Sequence, residues 1–556
     1  MSNKFINSKV SFYALFVIVF LIFASIYISS YQQKSATFDE AVIIYSGSYF
    51  LHHGDTAINA ENPLLAKSLL AFPSVFMNVK IPKVSNKELY SYQMGTGFAL
   101  SQKFLYSDND ASTILFWSRL MNVILCFACA VFLYLFLRLF LKHKLAFIGM
   151  LIFLLSPTIV ANARLATVDT AVMLFIFGST YFLFKALLSG KTIWAILAGI
   201  MTAGAMLSKF TGILLVPIML VQLVIYCIHK REASARLNAL KFFAIITISC
   251  LLLINACYLF KDIGYSLNDC SVRSPLLSKV ASVPLLNAIP IPLPLSYIKG
   301  FDIVAYNNRP GFPNIFMGEY HSKGGSWWYY YLLTSTLKIP IPLLILIIAG
   351  IIFSSRRFYR RWEYYFIIIP PLAIFLNFSL VAYRQLGIRY ILPMFPFLAI
   401  AALLGCKYIL RFKEGKLKLP LAMLLAWLLL VNILIYPDYL AYFNSFAGGA
   451  EGGKNYLASS NLDWGQDLPG LKKWLEKRNN PPLYMFYFGQ ADPEYYGIKY
   501  SGKPRYIAVS VTYMYTYKAS KSLPPRIKQY LGRILQSEPV DNIGYSIYIY
   551  DALKAK

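Results

Sequence analysis

The chain has 556 residues, of which 58% are hydrophobic and 14% charged, and its mean hydropathy is +0.54. This composition excludes an ordinary water-soluble globule and is typical of a membrane protein. The formal net charge of +28 would suit a nucleic-acid-binding protein, but most Lys and Arg residues sit in short loops between apolar runs. Membrane proteins concentrate basic residues in this way on their cytoplasmic side, so we expect no nucleic-acid partner.

Apolar runs recur along the chain, and each is close to the roughly twenty residues that a helix needs to cross a bilayer. The first run follows Lys4 and Lys9 and lacks a clear cleavage site, which favours an uncleaved span. The pattern predicts an α-helical polytopic membrane protein with about eleven spans. The predicted spans are 11–30, 113–139, 145–161, 170–188, 192–208, 211–228, 239–259, 331–354, 364–382, 389–408 and 419–436.

The basic residues predict the orientation of the chain. The loops after spans two, four, six, eight and ten carry the Lys and Arg clusters, which is typical of cytoplasmic loops. The N-terminus is then cytoplasmic, while the loops 31–112 and 260–330 and the tail lie outside. We expect two domains in the inner or plasma membrane: a transmembrane domain, 1–437, and an extracytoplasmic domain, 438–556.

The outer segments contain structure of their own. A Pro-started helix with an apolar face and one lysine is predicted over 62–73, along the membrane surface. In the tail, a helix at 468–478 and strand-like runs at 482–488, 506–515 and 545–550 predict a small α/β domain. Asp463, Trp464 and Asp467, just before this helix, suit a turn-and-cap arrangement or a contact surface, and the structural role is favoured. A single cysteine in the outer loops, Cys270, makes no disulfide framework.

Acidic residues occur where predicted spans reach the outer surface, and carboxylates at that depth usually mark a functional site. Asp39 and Glu40 follow the first span, and Asp169 lies in the very short connection before the fourth. Acids brought to one outer pocket suit general-base catalysis on a hydroxyl, with a partner acid that positions the acceptor or holds a basic group.

Four basic residues lie on the same outer side, although basic residues in membrane proteins concentrate in the cytoplasmic loops. Each alone suits a side chain that reaches toward lipid head groups, but together they favour an anionic ligand. A lipid-linked phosphate would explain the acids, the cations and the membrane body at once. No nucleotide-binding fingerprint and no metal-ligand spacing is found, so no metal site is predicted. The cations are Lys67, Lys209, Arg384 and Arg389.

Several short elements, in order along nearly the whole chain, resemble those of the GT-C glycosyltransferases that use polyprenyl-phosphate sugars. The resemblance is to the branch of protein O-mannosyltransferases and lipid A aminoarabinose transferases, and it implies the GT-C fold. The chain departs from the family where Glu61-Asn62-Pro63 replaces His-Pro-Pro and Ala66 replaces Gly. The matching elements are Phe38-Asp39-Glu40, 61–67, Arg164-Leu165-Ala166-Thr167-Val168-Asp169, Gly387-Ile388-Arg389-Tyr390-Ile391-Leu392-Pro393, 442–449 and 460–468.

The resemblance also implies roles for residues in these elements. Asp39 is expected to be the general base that deprotonates the acceptor, with Glu40 and Asp169 shaping the acceptor side. Lys67 and Arg389 are expected to bind the donor phosphate, a role assigned to Lys209 and Arg384 from the topology alone. The residues of the matched elements expected near the sugar or the acceptor are Asn62, Arg164 and Tyr390.

The implied function is transfer of a sugar from a polyprenyl-phosphate donor, of the undecaprenyl-phosphate type, with inversion at the anomeric carbon. The acceptor hydroxyl or phosphate lies on the outer face, and protein, lipid A and cell-envelope glycan stay open as its source. A divalent cation also stays open. One alternative is a transporter or flippase that binds a lipid-linked sugar without cleaving it, which predicts inverted repeats or paired broken helices. The other is an inactive scaffold whose tail binds a partner.

Overall fold

The computed structural model describes residues 2–56, 58–84, 94–358, 361–411 and 417–555, and helices dominate it. The α-helices are Ser2–Tyr31, Glu40–His53, Leu64–Ala71, Met94–Gln102, Ala111–Arg138, His143–Leu154, Pro157–Ala163, Asp169–Ser189, Thr192–Ser208, Leu215–Lys230, Ala233–Cys257, Pro275–Ala281, Pro284–Ala288, Leu295–Asn307, Tyr330–Lys338, Ile341–Phe358, Tyr365–Leu376, Phe395–Arg411, Lys418–Leu434, Gly449–Gly452, Leu468–Glu476, Val511–Thr516 and Pro525–Ile534.

The predicted membrane spans all fall on described helices. Among the described residues, seven helical stretches are long and apolar enough to cross a membrane. Two more qualify as pairs, with a bend of 66° before Pro157–Ala163 and of 119° before Ile341–Phe353. Pro157 and Pro340 sit at these bends, where a missing backbone N–H interrupts the helix. The remaining predicted spans, Thr192–Ser208 and Lys418–Leu434, are apolar helices of 17 residues each, and the count of about eleven stays a prediction.

The loop after the first helix folds back onto the membrane helices. The predicted Pro-started helix is confirmed as Leu64–Ala71, which follows Pro63 and continues as a 3-10 turn over Phe72–Phe76. It packs tightly on Glu40–His53, because a Cβ at Gly47 would lie 2.1 Å from the carbonyl oxygen of Lys67. Only glycine allows this approach. The helix therefore turns Lys67 into the protein, where the side chain is buried.

The tail contains a small sheet. Its strands β3 (Leu483–Phe486), β4 (Tyr506–Ser510), β5 (Asp541–Ile543) and β6 (Ile547–Asp551) are arranged in the order β3-β4-β6-β5. β3 and β4 are parallel, and the other pairs are antiparallel. The three predicted strands are confirmed, but the second ends at Ser510 and a helix, Val511–Thr516, follows it. A separate hairpin pairs β1 (Asn314–Phe316) with β2 (Glu319–His321).

The segment between the last membrane helix and the sheet packs against the helices. The Asn444 side chain donates to the carbonyls of Thr336 and Ile339, at 2.6 and 2.8 Å. Lys338 Nζ donates to the carbonyls of Leu440 and Asn461, at 2.8 and 2.7 Å. Buried polar groups need such partners, so these bonds fix the segment to the membrane part. The boundary at 437/438 remains an interpretation.

Candidate active site

A cavity of about 680 Å³ lies where the loop after the first helix, the ends of membrane helices and the tail meet. Mostly apolar walls with a few convergent charged groups are typical of ligand sites. Six residues predicted from the sequence line this cavity, although they lie as far apart in the chain as positions 39 and 390. They are Asp39, Asn62, Lys209, Arg384, Arg389 and Tyr390.

Two carboxylates and two cations form one cluster at the cavity wall. Arg389 Nη1 lies 2.9 Å from Asp39 Oδ2 and 3.5 Å from Asp169 Oδ2. Lys209 Nζ lies 2.7 Å from Asp169 Oδ1 and 4.1 Å from the centre of the Tyr390 ring. The Asp169 side chain is fully buried, whereas 28% of the Asp39 side chain is exposed. Asp39 is therefore the acid that a ligand in the cavity meets.

The backbone explains where these two acids point. Asp39 occupies the N-cap position of Glu40–His53, but its side chain makes no capping hydrogen bond. The Asp39 carboxylate forms an ion pair with Arg389 instead. Asp169 is the first residue of Asp169–Ser189, and the positive end of a helix dipole favours a negative charge there. Asp169 therefore serves as a fixed anchor for both cations.

Glu40 lies behind the cavity and is fully buried. Arg119 Nε donates to its Oε1 at 2.8 Å and Arg119 Nη2 to its Oε2 at 2.7 Å. Further donors are the amides of Thr37 and Ala166 and the Thr37 hydroxyl, at 2.7 to 3.0 Å. Burial disfavours the charge, but the Arg119 guanidinium and these hydrogen bonds still hold the pKa of Glu40 below its ordinary value. The expected catalytic role of Glu40 stays a prediction.

Arg119 is a residue that the sequence analysis did not single out. Besides Glu40, its guanidinium donates to the carbonyls of Tyr31, Lys34 and Ser35 at 2.7 to 2.9 Å. It therefore clamps the turn that leads from the first helix to Asp39. The available signal was the position of this arginine well inside the predicted span 113–139, since such a residue is usually paired and functional.

Lys67 and Arg164 bind backbone carbonyls and do not line the cavity. Lys67 Nζ donates to the carbonyls of Ile58 and Asn59 at 2.9 and 3.2 Å, and burial lowers the pKa of Lys67 to about 7. Arg164 donates to the carbonyls of Ser30 and Pro437 at 3.3 and 2.6 Å. Neither is among the described residues that line the cavity. Their expected roles at the phosphate and the sugar therefore remain predictions without a direct contact.

A second polar group lies on the cavity wall around Arg384. Its Nη1 is 3.6 Å from Glu61 Oε2, and its guanidinium lies 4.5 Å from the centre of the Phe312 ring. Asn62 donates to Asn59 Oδ1 at 2.7 Å. Glu61, which stands in the element where the family has histidine, thus pairs with a cation that was expected to bind phosphate.

The tail completes the cavity, although the sequence analysis favoured a structural role for Trp464 over a contact surface. The Trp464 ring lies 4.4 Å from the Arg389 guanidinium, and the Trp464 carbonyl accepts from the Phe38 amide at 2.9 Å. Phe488 stacks on Phe38 with ring centres 5.2 Å apart. Among the described residues, no group of three or more His, Cys, Asp and Glu side chains is arranged to hold a metal ion. The need for a divalent cation stays open.

Comparison with known proteins gives one sequence match and several structural ones. Residues 111–256 match the family model described as dolichyl-phosphate-mannose-protein mannosyltransferase. The structure is similar to that of ArnT from Cupriavidus metallidurans bound to undecaprenyl phosphate, with a TM-score of 0.50 and 13% identity over 97% of this chain and 98% of that chain. The chain has the ArnT-like GT-C fold. The fold expected from the sequence is thereby confirmed.

A further similar structure comes from an archaeal enzyme. The archaeal oligosaccharyltransferase AglB from Archaeoglobus fulgidus, in complex with an inhibitory peptide and a dolichol-phosphate, gives a TM-score of 0.49 at 12% identity. That alignment covers 90% of this chain and 70% of AglB. A comparison with curated protein sequences gives no match.

Proposed function

We propose that the chain is an integral membrane glycosyltransferase that moves a sugar from a polyprenyl-phosphate donor to an acceptor hydroxyl or phosphate in the cavity. The observation that carries this proposal is the cluster of Asp39, Asp169, Lys209 and Arg389 at the cavity wall. The fold supports it, since ArnT has been solved with undecaprenyl phosphate bound.

The donor phosphate would bind to Lys209 and Arg389. The Arg389 Nε atom is buried and has no hydrogen-bond partner, so an additional acceptor would satisfy it. Phe210, Ile213 and Leu214 follow Lys209 directly and line the same cavity, which suits an apolar prenyl chain. The two cations would stabilise the charge that develops on the leaving phosphate without any proton transfer.

Asp39 would act as the general base. In the structure its carboxylate is held by Arg389, and a phosphate that draws the guanidinium toward itself would free Asp39 for the acceptor. The acceptor oxygen then attacks the anomeric carbon while its proton passes to Asp39. The bond from that carbon to the phosphate oxygen breaks, and its electron pair leaves with the polyprenyl phosphate. A single displacement of this kind inverts the anomeric carbon.

The other acids would act indirectly. Asp169 orients Lys209 and Arg389 toward the donor, because one of its oxygens faces each cation. Glu40 is a positioning residue that fixes the turn before Asp39 through Arg119. Catalysis would then rest on placing the acceptor in line with the leaving phosphate and on stabilising the charge that develops there.

The transporter alternative predicted paired broken helices, and the structure contains two bent helix pairs. Their bends lie near Ser156 and Pro340, and neither residue is among the described residues that line the cavity. The charged cluster sits at helix ends and loops instead. These positions favour chemistry at the cavity over a carrier built around the bends.

The test is transfer of labelled sugar from a panel of polyprenyl-phosphate sugars, with membrane extract as the source of acceptors. We expect Asp39→Asn to lose about a hundredfold or more in transfer rate while it still binds polyprenyl phosphate. The matched control is Asp262→Asn, at an exposed position outside the cavity, which should transfer normally. An unimpaired Asp39→Asn would refute the base. Wild-type protein that binds donors and never releases polyprenyl phosphate would favour the carrier.

A further inference from the structure

One segment of the tail, Ser460–Gln466, touches both loops that supply the charged cluster, and we call it the bridging segment. On the Asp39 side it forms two backbone hydrogen bonds: the Ser35 amide donates to the Gln466 carbonyl at 2.9 Å, and the Phe38 amide donates to the Trp464 carbonyl at 2.9 Å. The Ser35 hydroxyl also donates to the Gly465 carbonyl at 2.8 Å. The loop that ends in Asp39 is thus bound to the tail at two positions, Ser35 and Phe38.

The same segment holds the Arg389 loop. The Ile388 amide donates to Asn461 Oδ1 at 3.0 Å, and the Ser460 hydroxyl donates to the Leu386 carbonyl. Gly387 between them has a φ of +110°, and a Cβ there would lie 2.8 Å from the Ser460 hydroxyl oxygen. A side chain at Gly387 would therefore strain the backbone and push the bridging segment away.

Trp464 is the one side chain of the bridging segment in contact with the described charged cluster. It is 3% exposed, and its ring faces the Arg389 guanidinium at 4.4 Å. An aromatic ring over a guanidinium attracts it and fixes its plane, most strongly when both are shielded from water. The Arg389 guanidinium thus packs against the Trp464 ring while its Nη1 atom contacts the carboxylates of Asp39 and Asp169.

We infer that Trp464 is a positioning residue for the donor phosphate: its ring holds the Arg389 guanidinium at the cavity wall, in an orientation from which Arg389 can exchange Asp39 for the phosphate. This inference rests on the proposed function, because it needs an anionic donor at Arg389. Without the ring, Arg389 retains the two carboxylates and the more distant Tyr390 ring, 5.3 Å away, as partners, and the carboxylates draw it toward themselves. The expected consequence is weaker binding of the phosphate and not a change at the acceptor.

The test compares Trp464→Leu with Trp474→Leu in the full-length protein. Trp474 is also a buried tryptophan of the tail, but it packs on Tyr506 and donates to Asp541 at 2.7 Å, outside the described cavity lining. We expect Trp464→Leu to weaken undecaprenyl-phosphate binding about tenfold and to raise the donor KM similarly, with the acceptor KM unchanged. Trp464→Phe, which keeps an aromatic face, should restore most of the loss.

Equal effects of the two leucine substitutions on donor binding would overturn the inference, because loss of packing in the tail would then explain both. If Trp464→Leu does not fold, Trp464→Met, which also removes the aromatic face, is combined with Arg389→Gln in a double-mutant cycle. Non-additive effects on binding support the inference and additive effects overturn it. Wild-type protein that binds undecaprenyl phosphate without transferring sugar refutes the proposed function alone, whereas wild-type protein that does not bind it refutes both.

Discussion

Glu40→Gln separates a catalytic from a positioning role for this acid. The substitution keeps the shape of the side chain and removes the negative charge opposite the buried Arg119. Oε1 accepts from Arg119 Nε and Ala166, and Oε2 accepts from Arg119 Nη2 and both Thr37 donors. Whichever way the amide turns, its NH2 group therefore faces at least two hydrogen-bond donors. Breaking a buried ion pair from one side costs about 3–5 kcal/mol.

The assay is thermal unfolding of the detergent-solubilised protein, measured beside sugar transfer. The matched control is Glu363→Gln, which breaks an ion pair to Arg361 at 3.0 Å whose arginine side chain is 61% exposed. Exposed pairs contribute about 0–1 kcal/mol, so this control should unfold almost normally. We expect Glu40→Gln to unfold at a clearly lower temperature. A variant as stable as the control that has lost transfer a hundredfold would show that Glu40 takes part in the chemistry.

Two further predictions follow from other buried charges. Lys67→Met should change the donor KM less than about threefold, whereas Lys209→Met should raise the donor KM about tenfold or more. The reason is that, of these two lysines, only Lys209 lines the cavity. A large effect of Lys67→Met on donor binding would show that Lys67 binds the phosphate after all. Burial raises the pKa of Asp463 from 3.8 to about 7. The folded protein then binds a proton that the unfolded chain has released, so this group makes stability fall as pH rises from about 4 to 7, by up to about 1.4 kcal/mol per pH unit. The melting temperature of Asp463→Asn should depend less on pH over that range, and an unchanged dependence would contradict the assignment.

The sequence predicted the parts of the fold that depend on local composition. Long apolar runs must form helices in a bilayer, since no water is present there to bind free backbone groups. Each predicted run falls on a helix, although bends interrupt two of them. Asp39 and Arg389 came together as expected because both follow the ends of such helices on the predicted outer side. Asp169 lies at a helix end on the same predicted side, so the topology alone also brings it close to them.

The direction of individual side chains was not predictable in the same way. Lys67 and Lys209 look alike in the sequence, yet the close contact at Gly47 turns Lys67 inward, and that contact joins two helices whose packing no local pattern encodes. Glu40 and Asp39 are neighbours, but their side chains go to opposite sides of one turn because Arg119 binds only one of them. Trp464 contacts Arg389 through a tertiary contact that no local sequence pattern encodes. The sequence around Trp464 therefore indicated only a turn.

The bridging segment has a consequence for how the protein is made. Asp39 is synthesised near the start of the chain, Arg389 much later and Trp464 later still, and the contacts among them join all three. The helices insert one after another, but the charged cluster gains its last wall only after residue 466 has left the ribosome. A nascent or truncated chain would hold its carboxylates and cations without that wall. Activity would then switch on once, late in biogenesis, when the tail docks.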